Sequence, residues 1–257
     1  NGITSIIAEG NEKNIVRIDN IPITIQVAKK NEESKFVPGA TLTVSDNNGN
    51  SVSVVSTSKY IELKGDTYSW ITTGKQLTLK EENPPLGYSK NENEVSFTVY
   101  GDDTIEDNHN RVWITNEKIL CSVKVKKHRI GNENDVLKGA EFKISKIYNN
   151  QIVEEYFDTK ITDETGVVEF KNLPLGVYNE QTGEFEGYYQ YKIEETKAPT
   201  GFIPTNEPVT IDFKEQAEKF IGFENDYTKI RFSKIDSETS EPVIGAKFAL
   251  YDNNNTL

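Results

Sequence analysis

Three near-copies of one short motif, each a domain's length from the next, constrain this chain more than any other feature. Val37-Pro38-Gly39-Ala40-Thr41-Leu42, Leu137-Lys138-Gly139-Ala140-Glu141-Phe142 and Val243-Ile244-Gly245-Ala246-Lys247-Phe248 carry Gly-Ala pairs at 39, 139 and 245. Solenoid repeats recur every 20–50 residues, so spacings of about 100 mean an array of whole modules. A second repeat marks the junctions. Val16-Arg17-Ile18-Asp19-Asn20 precedes Ile23-Thr24-Ile25-Gln26-Val27-Ala28-Lys29, and Val112-Trp113-Ile114-Thr115-Asn116 precedes Val123-Lys124-Val125-Lys126-Lys127. Ile221-Gly222-Phe223-Glu224-Asn225 precedes Ile230-Arg231-Phe232-Ser233-Lys234 in the same way. Each junction reads as a strand ending in Asn, a short linker such as Glu117 to Ser122, and a strand ending in Lys. Residues 1–20 are then the last strand or strands of one module, and 21–117 and 118–226 are two complete modules. Residues 227–257 begin a third that is incomplete. With no methionine among its 257 residues, the sequence reads as an excerpt or a processed chain.

Within the modules the pattern is β. Val95-Ser96-Phe97-Thr98-Val99 and Thr210-Ile211-Asp212-Phe213 alternate with the period of two expected of half-buried strands. Turn chemistry separates them at Asp46-Asn47-Asn48-Gly49, Asp163-Glu164-Thr165-Gly166 and Pro199-Thr200-Gly201. No long amphipathic helix is evident, and short strands in units of this length predict β-sandwiches.

Composition removes several function classes. Forty-one acidic against 29 basic residues give a net charge of −12, which argues against the basic stripe of a nucleic-acid binder. No apolar run approaches the ~18 residues of a membrane span. The single cysteine, Cys121, excludes an intramolecular disulfide and reads as a small buried or linker residue. The two histidines, His109 and His128, leave little material for a zinc site or a Ser-His-Asp triad. Gly101-Asp102-Asp103-Thr104-Ile105-Glu106-Asp107-Asn108 lacks EF-hand spacing and reads as an acidic surface loop rather than a calcium site. No metal or cofactor is expected.

Strand parity points to the chemistry. Alternate residues of a strand share a face. Ile25 and Val27 lead on one face to Lys29, Val123 and Val125 to Lys127, and Ile230 and Phe232 to Lys234. Val16 and Ile18 lead to Asn20, Val112 and Ile114 to Asn116, and Ile221 and Phe223 to Asn225. Leu77 and Leu79 lead to Glu81, and Tyr191 and Ile193 to Glu195. A polar residue ends the apolar face every time. Burial disfavours charge, lowering a lysine pKa and raising a glutamate pKa. A neutral lysine is a nucleophile, a protonated glutamate can assist at an amide carbonyl, and asparagine is an electrophile. These are the parts for an isopeptide bond formed with release of ammonia. Two blander readings compete: solvated strand ends in surface ion pairs worth ~0–1 kcal/mol, and a buried Lys–Glu ion pair capped by Asn.

The chain also resembles a known family. Tyr191-Lys192-Ile193-Glu194-Glu195-Thr196-Lys197-Ala198-Pro199-Thr200-Gly201-Phe202 is similar to its Y-x-I-x-E-T-x-A-P-x-G-Y segment, with Phe as the last residue. Leu137 to Phe142 matches its L-x-G-A-x-F, and Leu173-Pro174-Leu175-Gly176-Val177-Tyr178 its L-x-x-G-x-Y. The family is the collagen-adhesin B-type, prealbumin-like or SpaA-type pilin domain of Gram-positive surface proteins. The resemblance implies tandem inverse immunoglobulin-like β-sandwiches, a fold that often holds a self-formed Lys–Asn or Lys–Asp isopeptide bond assisted by a Glu or Asp. In module two it assigns Lys127 as nucleophile, Glu195 as assisting acid and Asn225 as acceptor. In module one the trio is Lys29, Glu81 and Asn116, although Asn83-Pro84-Pro85 stands where the family has Lys-Ala-Pro. Lys234 and Asn20 are orphans of incomplete modules. Leu173 to Gly176 also resembles part of a sortase sorting signal, lacks its Thr-Gly ending, and reads as a turn.

The function so implied is a stalk or shaft segment of a bacterial surface adhesin or pilus, extracellular and cell-wall associated. Its partners would be neighbouring modules, with a host matrix protein met through another region. The rivals are a matrix-binding adhesive module and a polymerising pilin subunit. Turnover of an external substrate is not expected.

Overall fold

The structure, a computed structural model, describes residues 22–101, 109–204 and 207–251. Asn20, the segment from Val16 expected to lead to it, and all of the acidic segment after Gly101 lie outside the described residues.

The described residues form strands and turns without a helix. The first module contains β1 (Thr24–Asn31), β2 (Thr41–Asp46), β3 (Ser51–Val55), β4 (Ile61–Lys64), β5 (Gln76–Asn83), β6 (Val95–Thr98) and β7 (Arg111–Asn116). They make two sheets, ordered β4-β1-β7 and β3-β2-β5-β6. The second module begins with β8 (Leu120–Arg129), β9 (Asn132–Val136), β10 (Glu141–Tyr148), β11 (Gln151–Ile161) and β12 (Val167–Pro174). It continues with β13 (Gly176–Tyr178), β14 (Phe185–Tyr188), β15 (Gln190–Lys197), β16 (Phe202–Ile203), β17 (Val209–Asp212) and β18 (Glu218–Tyr227). Its sheets repeat the plan as β12-β8-β18-β16 and β11-β10-β15-β17, with β13 and β14 added as a hairpin.

Each sandwich buries the alternating apolar side chains of its two sheets. Ile25, Val27, Leu42, Val44, Leu77, Leu79, Val112 and Ile114 form the core of the first module. Val123, Val125, Phe142, Ile144, Tyr191, Ile193 and Phe223 occupy the same positions in the second. Cys121 belongs to that second core, at 3% exposure. The register that matters most is parallel. First and last strands lie side by side, pairing Lys29 with Ile114 and Asn31 with Asn116, and Lys127 with Phe223 and Arg129 with Asn225.

The Gly-Ala repeat has a structural cause. Gly39 and Gly139 adopt φ of +94° and +89°, which a Cβ would strain. The turn then delivers the next amide to a hydroxyl: Ala40 N–H donates to Ser56 Oγ and Ala140 N–H to Thr162 Oγ1. On its other side the turn is tied to the lysine strand, since Val37 N–H donates to the Lys29 carbonyl and Leu137 N–H to the Lys127 carbonyl.

Three expectations from sequence need correction. Leu173 to Gly176, read as a turn, is mostly strand: β12 runs to Pro174, β13 starts at Gly176, only Leu175 lies between them, and Leu173 and Leu175 are each 1% exposed in the core. The first linker is shorter than Glu117 to Ser122, because β8 already begins at Leu120. In the third segment Ile230 to Lys234 forms no ladder strand; Ile230, Phe232 and Lys234 are exposed, and only an isolated bridge joins Ile235 to Pro242. A strand is stable only when its backbone groups and apolar face find partners, and among the described residues this segment pairs with neither sheet. It nevertheless keeps the local tie of the complete modules, with Val243 N–H donating to the Lys234 carbonyl.

Candidate functional site

Two clusters of buried polar side chains sit at equivalent ends of the two cores. In each, one sheet supplies lysine and asparagine from its parallel first and last strands. The facing sheet supplies the acid: Glu81 on β5, opposite Leu42, and Glu195 on β15, opposite Phe142. The alternation that buries Val27 and Val125 turns Lys29 and Lys127 inward as the next members of the same face.

In module one the Lys29 Nζ lies 2.9 Å from Glu81 Oε1 and donates to Asn116 Oδ1. The Asn116 amide nitrogen donates to both Glu81 oxygens at 3.0 Å. In module two the Lys127 Nζ lies 3.0 Å from Glu195 Oε2 and 2.5 Å from Asn225 Oδ1, while Asn225 Nδ2 donates to Glu195 Oε1 at 2.9 Å. Both lysines are 0% exposed, and both asparagines 2%. The sequence parity therefore placed all six side chains on the core face, and the fold brings each trio into mutual contact.

Burial dominates the electrostatics. It pushes Lys29 down from the ordinary lysine value to about 8, against the opposing hydrogen bond and charge of Glu81. Burial lowers Lys127 as well, against Glu195. In both clusters burial thus favours the neutral, nucleophilic form of the lysine, beside an amide whose carbonyl oxygen already accepts a hydrogen bond. The carboxyl group bridges the amine and the amide nitrogen. This arrangement can perform an acyl transfer: the amine attacks, the carboxyl group carries a proton from Nζ to the departing nitrogen, and ammonia leaves.

Sequence reasoning missed one participant. Asn91, in the loop after β5, donates its backbone N–H to Glu81 Oε2 at 2.8 Å and its side-chain amide to the Thr115 carbonyl at 2.7 Å. Backbone donors leave no trace in residue identity, so only the position of Asn91 in the same loop as Gly87-Tyr88 could have hinted at it. Lys234 is exposed and Asn20 is outside the described residues, so neither orphan is placed in a cluster. Among the described residues no group of three or more His, Cys, Asp or Glu side chains could hold a metal ion. No helix among them is long and apolar enough to cross a membrane.

Comparison with known proteins agrees with this plan. The family model of the SpaA prealbumin-like fold domain matches residues 23–113 and 121–188, one stretch in each module. The chain belongs to that family. No curated protein matches the sequence. Among solved structures, the Bacillus anthracis TIE protein is similar in fold, at 24% identity and a TM-score of 0.61, over 80% of this chain and 34% of that one. A streptococcal ancillary pilin is matched at 16% identity and TM-score 0.34, over 82% of this chain and 64% of that one. A C-terminal fragment of the pilus adhesin SpaC from Lactobacillus rhamnosus GG is matched at 13% and 0.44, over 81% and 99% respectively. The chain thus spans about a third of the length of the Bacillus anthracis protein.

Proposed function

We propose that this SpaA-family chain is a stalk or shaft segment of a Gram-positive surface adhesin or pilus, in which each complete module locks itself with a Lys–Asn isopeptide bond. The observation that carries the reading is the duplicated buried trio joining first and last strands. Proton transfer from lysine to glutamate gives a neutral amine and a carboxylic acid. The Lys Nζ–Asn Cγ bond forms, the Cγ–Nδ2 bond breaks, and the amide nitrogen leaves as ammonia with protons relayed through the acid. No cofactor or external substrate enters.

The placement suits a load-bearing role. A Lys29–Asn116 bond would span 87 residues of sequence and a Lys127–Asn225 bond 98. Tension entering at β1 would pass to β7 and then to β8 without loading the chain between. The module is then an extracellular structural element whose immediate partners are its neighbours, and adhesion to host matrix protein would belong to another region.

Intact-mass measurement tests the reading. The chain should be about 34 Da lighter than its sequence, since each bond releases one ammonia of ~17 Da. A mass equal to that of the sequence would leave two buried ion pairs capped by asparagine and remove the covalent lock.

A further inference from the structure

The two modules hold the loop after the acid-bearing strand in different ways. In module two this loop is held from within its own module. Phe202 pairs with Tyr227 at the end of β18, the rings stack with centroids 4.9 Å apart at 27°, and Thr228 N–H donates to the Gly201 carbonyl. Module one has the same backbone tie, with Ile119 N–H donating to the Gly87 carbonyl and Tyr88 bridging to Lys118. Lys118, however, stands where module two has Tyr227, so among the described residues Tyr88 meets no ring of its own module.

Module two supplies that ring. Tyr88 packs edge-on against Tyr178 with centroids 5.3 Å apart, and Tyr178 packs in turn against Phe185, also at 5.3 Å. The hydroxyls interlock: Tyr88 Oη donates to the Gly183 carbonyl at 2.6 Å and Tyr178 Oη to the Gly87 carbonyl at 2.5 Å. Gly87 adopts φ +84°, and a Cβ there would fall 2.3 Å from Phe185 Cδ2. Tyr88 is consequently 2% exposed. The gripped segment runs on through Ser89, whose N–H donates to the Glu117 carbonyl, to Asn91, whose N–H reaches Glu81.

We propose that Tyr178 and Phe185, on the β13–β14 hairpin of module two, are positioning residues for the Lys29–Asn116 reaction of module one. They act by holding the loop from Pro84 to Asn91 against Glu81. The proposal rests on the reading that Lys29 and Asn116 react. Module two carries its own aromatic clasp and is independent of module one, so the chain matures with an order: module two can lock alone, and module one locks once its neighbour has docked.

Cell-free synthesis of the full chain, quenched in acid at intervals and mapped by peptide mass, reads each bond separately. Tyr178→Ala should slow the Lys29–Asn116 bond by on the order of tenfold, as displacement of a reacting group does, and leave the Lys127–Asn225 bond at its normal rate. Tyr178→Phe, which keeps the ring, should slow it less. Adding Lys118→Tyr to Tyr178→Ala should restore the rate by rebuilding the stack found at Phe202 and Tyr227. Unchanged rates in the Tyr178→Ala, Phe185→Ala double variant overturn the proposal. Equal slowing of both bonds overturns it too, since the hairpin would then serve only the folding of module two, as does a slowing that Lys118→Tyr fails to reverse. If the unmodified chain forms neither bond, the cross-linking reading itself falls.

Discussion

Lys127 Nζ lies 2.5 Å from Asn225 Oδ1, although 98 residues of chain separate the two. The parallel pairing of β8 and β18 makes this possible. It sets Lys127 opposite Phe223, one pleat before Asn225, so both polar side chains emerge on the core face at the same end of the sandwich. Module one repeats the relationship with Lys29 opposite Ile114, one pleat before Asn116.

The role of the acid is tested by Glu195→Gln. The amide preserves the size of the side chain and can still accept from Lys127, but it cannot carry the proton to the leaving nitrogen. The variant should fold, and peptide mapping should show the Lys127–Asn225 bond absent or formed far more slowly, with the Lys29–Asn116 bond intact. Cross-linking at the normal rate would remove Glu195 from the mechanism.

The bond and the ion pair are separated by comparing Asn225→Ala with Lys127→Ala. The first removes the acceptor and leaves the Lys127–Glu195 pair. By analogy with a disulfide closing a long loop, it should destabilise module two by roughly 2–5 kcal/mol. The second also strands a buried carboxylate, and removing one partner of a buried pair costs roughly 3–5 kcal/mol, so its melting temperature should be the lower. Both should expose module two to trypsin and leave module one resistant, because the two cores are distinct. Equal protease resistance in wild type and both variants would remove the mechanical argument.

Tension offers a geometric check. Pulled from its ends, the cross-linked chain should lengthen without a module-sized step. Lys29→Ala should open the 87-residue separation, about 300 Å at the extended rise of the chain, in a single unlocking event. An identical step in the unmodified chain would show that the load does not pass through Lys29 and Asn116.

The pH dependence of module one follows from the depressed Lys29. The zwitterionic pair and its neutral, reactive form hold the same single proton, so the bond-forming rate should be level while that proton is retained. Above about 8, where Lys29 loses it, the amine remains but the acid is spent, and the rate should fall. The measurement is the rate of ammonia loss after refolding from denaturant across this range. A rate that climbs steadily through pH 8 would mean that the acid is not needed.

Much of the site was legible in the sequence because side-chain direction in a strand is a local property. Period-two alternation fixes which side chains share a face, so Ile25-Val27-Lys29, Leu77-Leu79-Glu81 and Val112-Ile114-Asn116 could each be read without knowing any neighbour. The repeated Gly-Ala turn is local for the same reason, and it forms even beside the unpaired Lys234. Strand pairing is not local. That β1 lies parallel to β7, that Glu81 reaches the pair from the opposite sheet, and that Lys29 becomes fully buried all depend on contacts between distant segments. Lys234 shows the difference: it has the same parity as Lys29 and Lys127, but without partner strands its side chain stays in solvent. The clasp of Tyr88 by Tyr178 and the Asn91 amide on Glu81 belong wholly to the tertiary structure. One joins residues of separate modules and the other uses a backbone group that every residue but proline possesses.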